Sequence, residues 1–359
     1  MSSDTPLITR LKIGRDRWNE ATDRFPEAWL WHRWEAIEAY ATWSNTVDIS
    51  FGIEDPHENR IVALVPLREI AGRRPFRGLL RHLESTGGPA FNPDLSARQR
   101  KNAEEAVKAS LLNLATQRHA HRIDLSVAPL RPAQASSSVG GINPLVMLGC
   151  REASTQSWVL ELAENSADHL WRNLEQRVRK SVNRAERAGV TVRATTPEDK
   201  TDFFRLHQDN ARRTNVPAKP ASYFETIFDD FLQTGMATGF CALSPDRQTI
   251  AIHIFAEYKN SALYWVVASD DQALSNGTND LVQWHAIKNF AARGLLRYEC
   301  GEAFPGLSEG KLRRISDFKK GFGGTLTPYY RGTLTTRPVV AATFELLRAI
   351  RSACLPGAS

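Results

Sequence analysis

Between Leu274 and Gly324 the chain reads as a strand end, a polar loop, a helix, a short strand, a polar turn and a basic, glycine-studded segment, and this order constrains the fold more than any other stretch. The loop is Ser275-Asn276-Gly277-Thr278-Asn279, with Asn279 expected to cap the following helix. Leu281, Trp284, Ile287 and Ala291, with the stem of Lys288, share one helical stripe, and Gly294 lies just past its end. Leu296 to Cys300 read as a strand broken at Gly301, and the basic segment Lys311 to Gly324 follows. A helix N-terminus fed by a polar loop presents unpaired N–H groups to negative charge. Asn276, Gly277, Thr278 and Asn279 are therefore candidates for holding an anionic cofactor group.

With 359 residues the chain exceeds what one core usually serves, so two domains are expected, at 1–157 and 158–335, with a tail helix over 336–359. No apolar run is long enough to span a membrane, and the first residues lack a signal-peptide pattern. Cys150, Cys241, Cys300 and Cys354 are widely spaced, which argues against zinc or a disulfide framework and fits a reducing, cytoplasmic setting; no metal is called for. The net charge of +6 is concentrated. From Trp171 to Arg193 seven basic residues face only Glu175 and Glu186, and Lys311 to Lys320 hold five more against Asp317. Such runs are either solvated helix faces or the wall of a cleft for a polyanion, such as a CoA tail, a tRNA end or a nucleotide-linked substrate.

In the first half, a helix is expected over Phe25–Tyr40, a hairpin from Val47–Phe51 and Ile61–Leu67, a loop over Arg73–Pro93, a helix over Ser96–Arg118 and a strand over His121–Val127. In the second half a strand at Trp158–Leu162 precedes one helix from Ser166 to Gly189, with Leu170, Leu174, Val178, Val182 and Ala185 inward. A strand, two helices and three strands (Thr238–Leu243, Thr249–Tyr258, Ala262–Ala268) lead to the stretch above, and Leu326–Tyr330 reads as a last strand. The halves echo each other in element order, as a diverged duplication would, and mixed α/β sheets with helices on both faces are the natural packing.

That order is similar to the GNAT acyltransferase fold, and three stretches resemble its FemAB-like branch with tandem GNAT domains. They are Arg179-Lys180-Ser181-Val182-Asn183-Arg184 running to Gly189-Val190, Asn279–Ile287 running to Tyr298-Glu299-Cys300-Gly301, and Phe318-Lys319-Lys320-Gly321-Phe322-Gly323-Gly324. Glu299 stands where the family usually has aspartate, and the glycine-rich pyrophosphate loop of CoA-using relatives is replaced by Gln272–Thr278. The resemblance implies an N-acyltransferase, with the second domain better defined than the first. Its implied co-substrate is acyl-CoA, not tightly bound; aminoacyl-tRNA is the alternative. Its acceptor is an amine of a small molecule, sugar, peptide or cell-envelope precursor. A non-catalytic nucleic-acid or polysaccharide-assembly partner is a further alternative.

Lys319 is then a candidate for oxyanion or phosphate stabilisation, or a solvated lysine. Glu299 is a candidate general base, or a strand carboxylate paired with Arg297 or Lys319. Arg179, Lys180 and Arg184 are candidates for phosphate or carboxylate contacts. His207, Arg212, Tyr298 and Phe318 are candidate substrate contacts, and His253 reads as a hydrogen-bonded structural histidine.

Overall fold

The computed structural model describes residues 7–343 apart from 44, 56–57, 73–80, 133–140, 164, 215, 217 and 341. The chain separates into two compact units: Met1–Ala128, Val139–Ser154 and Tyr330–Ser359 form the first, Pro129–Ser138 and Thr155–Tyr329 the second. The units divide at 154/155 rather than 157/158. The final strand, Thr325–Thr335, changes unit at Tyr330, a crossing that no sequence break announces. Of the expected tail helix, 338–340 and 342–343 are helical and the remainder lies outside the described residues.

In the second unit the spatial strand order is Thr191–Ala194, Ala237–Leu243, Thr249–Tyr258, Ser261–Ser269, Arg297–Ala303, Thr155–Glu161 and the start of Thr325–Thr335. Every neighbour is antiparallel except Ser261–Ser269 with Arg297–Ala303. Thr249–Tyr258 is apolar along nearly its whole length because it is buried on both faces. Above it the helix Thr278–Ala292 sets Val282, Ile287 and Phe290 against Phe240, Phe255 and Tyr298. Each such side chain contributes about 1.5–3 kcal/mol by leaving water. The single basic helix expected from Ser166 is two, Ala167–Asn173 and Gln176–Arg187. The chain breaks at Leu174, which is extended, and Glu175 N–H donates to the Gly321 carbonyl at 2.9 Å. The five expected inward residues are nonetheless all buried, so the stripe was read correctly through a break that leaves it in phase.

The first unit holds one sheet of Leu7–Thr9, Phe51–Asp55, Arg60–Val65 and Ala90–Phe91. Its second sheet runs Thr46–Asp48, Arg68–Ala71, Arg81–Ser85, Arg122–Val127 and the end of Thr325–Thr335. The expected hairpin is thus split at Ile49–Ser50 and Pro66–Leu67 into strands of different sheets. Within 73–93, expected as loop, Arg81–Ser85 is a strand paired in parallel with Arg122–Val127. Helix Ala97–Gln117 starts at Ser96, whose hydroxyl and Gln99 form a capping box, and it buries Ala103, Val107, Leu111 and Ala115. The helix expected over 25–40 is replaced by Arg15–Arg24, a turn of 3-10 helix at Leu30–His32 and Trp34–Ala41, with Pro26 in the connection rather than in a first turn. Among the described residues no helix is long and apolar enough to cross a membrane.

Candidate active site

Strands Ser261–Ser269 and Arg297–Ala303 pair over only three positions, Ser261 with Arg297, Ala262 with Tyr298 and Leu263 with Glu299. Beyond Glu299 each strand continues only with its outer neighbour, so the sheet parts there. An extra residue marks each side of the parting, Trp265 opposite Ile254/Phe255 and Cys300 opposite Trp158/Val159. Gly301 follows at φ +91°, a conformation that side chains disfavour. The bulge carries the strand on to Ala303 instead of ending it at Gly301.

Glu299 is buried at this last parallel pair, and the Ser157 hydroxyl donates to its Oε1 at 2.6 Å. Burial pushes its carboxyl up to about 7, against the opposing influence of Ser157, Lys319 and Arg297. Lys319 lies in the last turn of helix Lys311–Lys320 and reaches Gly301, where an added Cβ would meet Nζ at 2.9 Å. Its ammonium donates to the Glu302 carbonyl at 2.7 Å. Burial lowers its pKa below that of an ordinary lysine, while Cys300, Glu299 and Glu302 pull it back up. Arg297, two residues before Glu299, is turned elsewhere. Its buried guanidinium donates to the carbonyls of Leu130 at 2.8 Å, Arg131 at 3.3 Å and Pro129 at 3.4 Å. The carboxyl therefore feels two cations without either one bonding to it.

The amide end of helix Thr278–Ala292 differs from expectation. Ser275 and Asn276 finish a short helix, Asp271–Asn276, and Gly277 is a left-handed joint at φ +91° between the two helices. The side-chain oxygen of Asn276 accepts the Thr278 N–H at 2.9 Å and its hydroxyl at 2.6 Å, so Asn276, not Asn279, supplies the cap. Gly277 and Thr278 are buried, and a Cβ on Gly277 would stand 2.5 Å from the Ser181 carbonyl oxygen of the basic helix. Arg184 Nε donates to the Asn276 carbonyl at 3.1 Å. Asn279 lies in the first turn with its Oδ1 3.0 Å from Nε2 of His253, a wholly buried histidine that burial pushes down to about 4 and so keeps neutral. Asp280 sits beside them with its carboxyl pushed up to about 6 by burial, opposed by Arg177, Ser181 and Arg184.

The remaining expected contacts are largely committed to the fold. Arg179 donates through Nη1 to the carbonyls of Trp171, Arg172 and Leu174 and so closes the end of the Ala167–Asn173 helix. Lys180 is exposed. Tyr298 is enclosed in the core, its hydroxyl donating to Gln283. Phe318 packs on the core and meets Phe322 edge-on at 5.1 Å. His207 accepts the Lys219 N–H at 3.2 Å and stacks on Phe203, while Arg212 is exposed and paired with Asp209. The sequence reading missed Ser157 and Asp280. A hydroxyl inside the apolar run Trp158–Leu162 and its flank needs a partner when buried, which was the available signal for Ser157.

A parallel strand pair that opens at a bulge, with a helix crossing between its strands, defines a GNAT-type acyltransferase domain, and residues 172–309 match the family model described as acetyltransferase (GNAT) domain. The match is confined to residues 172–309, and the chain as a whole has the fold of tandem GNAT proteins. FemX is similar over 94% of this chain and 99% of its own at 14% identity and a TM-score of 0.67. L-PGS from Bacillus licheniformis is similar over 83% of this chain and 88% of its own, at 13% identity and a TM-score of 0.52. N-myristoyltransferase of Saccharomyces cerevisiae with bound myristoyl-CoA is similar over 93% of this chain and 79% of its own, at 10% identity and a TM-score of 0.52. No curated protein sequence matches the chain.

Proposed function

We propose that the second unit transfers an acyl group from an activated donor to an amine, with Glu299 as general base and Lys319 as the charge that steadies the carbonyl oxygen. The observation that carries this is a buried carboxyl held near 7 where the parallel strands part, with a desolvated ammonium close by. A base with a pKa near the working pH balances the ionised fraction against proton affinity. The amine nitrogen bonds to the acyl carbon, its proton passes to the Glu299 carboxylate directly or through water, and the carbon–sulfur or carbon–oxygen bond to the leaving group breaks. Negative charge on the acyl oxygen is greatest midway, where an ammonium in a dry site helps most.

Acyl-CoA is the donor favoured by the fold's breadth, since a structural neighbour holds myristoyl-CoA. A specific observation supports aminoacyl-tRNA as a second reading: Asn276, Ser181 and Asp280 already crowd the helix end that would otherwise face a pyrophosphate. The acceptor is an amine on a small molecule or a cell-envelope precursor, and buried free Cys150, Cys241 and Cys300 fit a reducing cytoplasm. The test offers the purified chain acetyl-CoA and longer acyl-CoAs in one arm and aminoacyl-tRNA in the other, each with an amine panel. Thiol release or labelled-amide formation is the expected result. If neither arm yields product, or if Lys319→Ala and Glu299→Gln together leave transfer intact, the assignment is wrong.

A further inference from the structure

The start of helix Thr278–Ala292 is a natural place for an anionic group, since first-turn N–H groups and the positive end of the helix both lie there. That place is already taken by the chain itself. Asp280 lies in the first turn, and its Oδ1 is buried without a hydrogen-bond partner among the described residues. Burial pushes its carboxyl up to about 6, which still leaves the group ionised at neutral pH. The charges of Arg177 and Arg184, on the helix Gln176–Arg187 packed against this one, and a hydrogen bond from Ser181 favour the ionised form. A carboxylate in a first turn has the sign that the helix favours, so Asp280 stands where a ligand's phosphate would.

Little is left over for a diphosphate. The Thr278 N–H and hydroxyl both go to Oδ1 of Asn276, at 2.9 and 2.6 Å. Arg177 pairs with Glu175 at 2.8 Å and donates to the Asp317 carbonyl, while Arg184 donates to the Asn276 carbonyl at 3.1 Å. Both guanidinium groups are therefore engaged before any ligand arrives. Room is short as well, because a single methyl on Gly277 would stand 2.5 Å from the Ser181 carbonyl oxygen. A diphosphate at this end would have to push the basic helix aside and lie against a like charge, a pairing that a partly dry site makes strongly unfavourable. The opening between Ser261–Ser269 and Arg297–Ala303 makes no such demand, since beyond Leu263 and Glu299 each strand pairs only with its outer neighbour.

We infer that Asp280 sets the donor specificity by keeping a diphosphate away from the start of helix Thr278–Ala292, so that the donor is held by its acyl arm in the strand opening and not by its nucleotide. The place of that arm rests on the acyl-transfer reading, but the test reads binding alone, so each can fail without the other. Coenzyme A and pantetheine, the same arm without the diphosphate and adenosine, are titrated into the full chain and its Asp280→Asn and Asp280→Ser variants. Calorimetry and melting temperature are the readouts. In the wild type the two ligands should bind within about threefold of each other. In each variant coenzyme A should gain about tenfold while pantetheine stays unchanged, the effect of one like charge removed. Asp280→Asn keeps the size of the side chain, so it serves if Asp280→Ser unfolds. Wild-type binding of coenzyme A more than about tenfold tighter than pantetheine overturns the proposal, because the diphosphate is then seated in spite of Asp280. A folded variant in which coenzyme A gains nothing, or gains no more than pantetheine, overturns it as well. Should neither ligand bind the wild type measurably, the variants decide: binding of coenzyme A there supports the proposal, and its absence overturns it.

Discussion

Each unit contains a parallel strand pair joined through a helix, and the second strand of each opens with arginine, an apolar residue and an acid. In the first unit Arg122-Ile123-Asp124 places Asp124 opposite Glu84; in the second Arg297-Tyr298-Glu299 places Glu299 opposite Leu263. The arginines make the difference. Arg122 pairs with Asp124 at 2.7 Å, and the Thr333 hydroxyl donates to the same carboxylate at 2.9 Å, with both charged side chains partly open to water. Arg297 instead spends its donors on the carbonyls of Pro129, Leu130 and Arg131, and Glu299 is left buried with one neutral donor, Ser157. The ladder also runs one pair further in the first unit, to Ser85 with Leu125, where the second has already opened. One motif thus gives a paired, partly exposed carboxylate in one place and a buried one, pushed up to about 7, in the other.

The largest effect should come from the acids themselves. Glu299→Gln is expected to lower kcat by about 10²–10⁴, the usual contribution of a positioned base, while Asp124→Asn stays within about twofold, as substitutions away from the reacting groups do. Steady-state transfer rates check both, and an equal loss in Asp124→Asn would erase the distinction between the units. The pH dependence carries the same sign: activity falls as pH drops through about 7, where Glu299 takes up its proton. Stability moves the other way. With a folded value near 7 against 4.5 for the free side chain, the folded state binds the extra proton, so stability declines as pH rises from about 4.5 to about 7. The Gln variant should lack that slope in a melting-temperature series. Lys319→Ala comes next, at about 10²–10³ in kcat, if its charge steadies the oxyanion.

How much of this was legible can be judged residue by residue. The Ala97–Gln117 helix and the Thr249–Tyr258 strand were readable because capping chemistry or an unbroken apolar run agrees with the tertiary role. Arg81–Ser85 was not, since the sequence Arg-His-Leu-Glu-Ser offers one buried apolar side chain and its strand character comes from a partner forty residues away. Glu299 and Lys319 were singled out through the family-like motifs around them. Their environment was hidden, because it depends on where Arg297 points and on a bulge at Cys300, both set by long-range contacts. The same limit applies to Gly277, read as part of a loop although close approach to Ser181 is what requires glycine.

Arginine swaps sharpen the comparison at a smaller scale. Arg297→Met should cost about 1–3 kcal/mol by leaving buried carbonyls unsatisfied, and should push the acid limb of the activity profile upward, because one of the cations favouring ionised Glu299 is removed. Arg122→Met breaks a partly exposed pair and should cost no more than about 1 kcal/mol, with the profile unmoved. Chemical denaturation and a pH–rate series read both. If the profile shifts equally in the two variants, the units do not differ in how they hold their acids.

The two helix starts offer the last contrast. Helix Ala97–Gln117 begins at an exposed cap, so Ser96→Ala should cost about 1 kcal/mol, the worth of the Gln99 N–H bond that the hydroxyl accepts. Helix Thr278–Ala292 begins under the basic helix, where Gly277 holds φ +91° with the Ser181 carbonyl 2.5 Å from an added Cβ. Gly277→Ala must strain the backbone and displace Ser181, and a cost of about 1–3 kcal/mol is expected. Because Ser181 and Arg184 ride on the same helix, that displacement should also alter donor affinity, whereas Ser96→Ala should not. Equal stability losses with donor binding unchanged in both would mean that the crowded helix end has no part in admitting the donor.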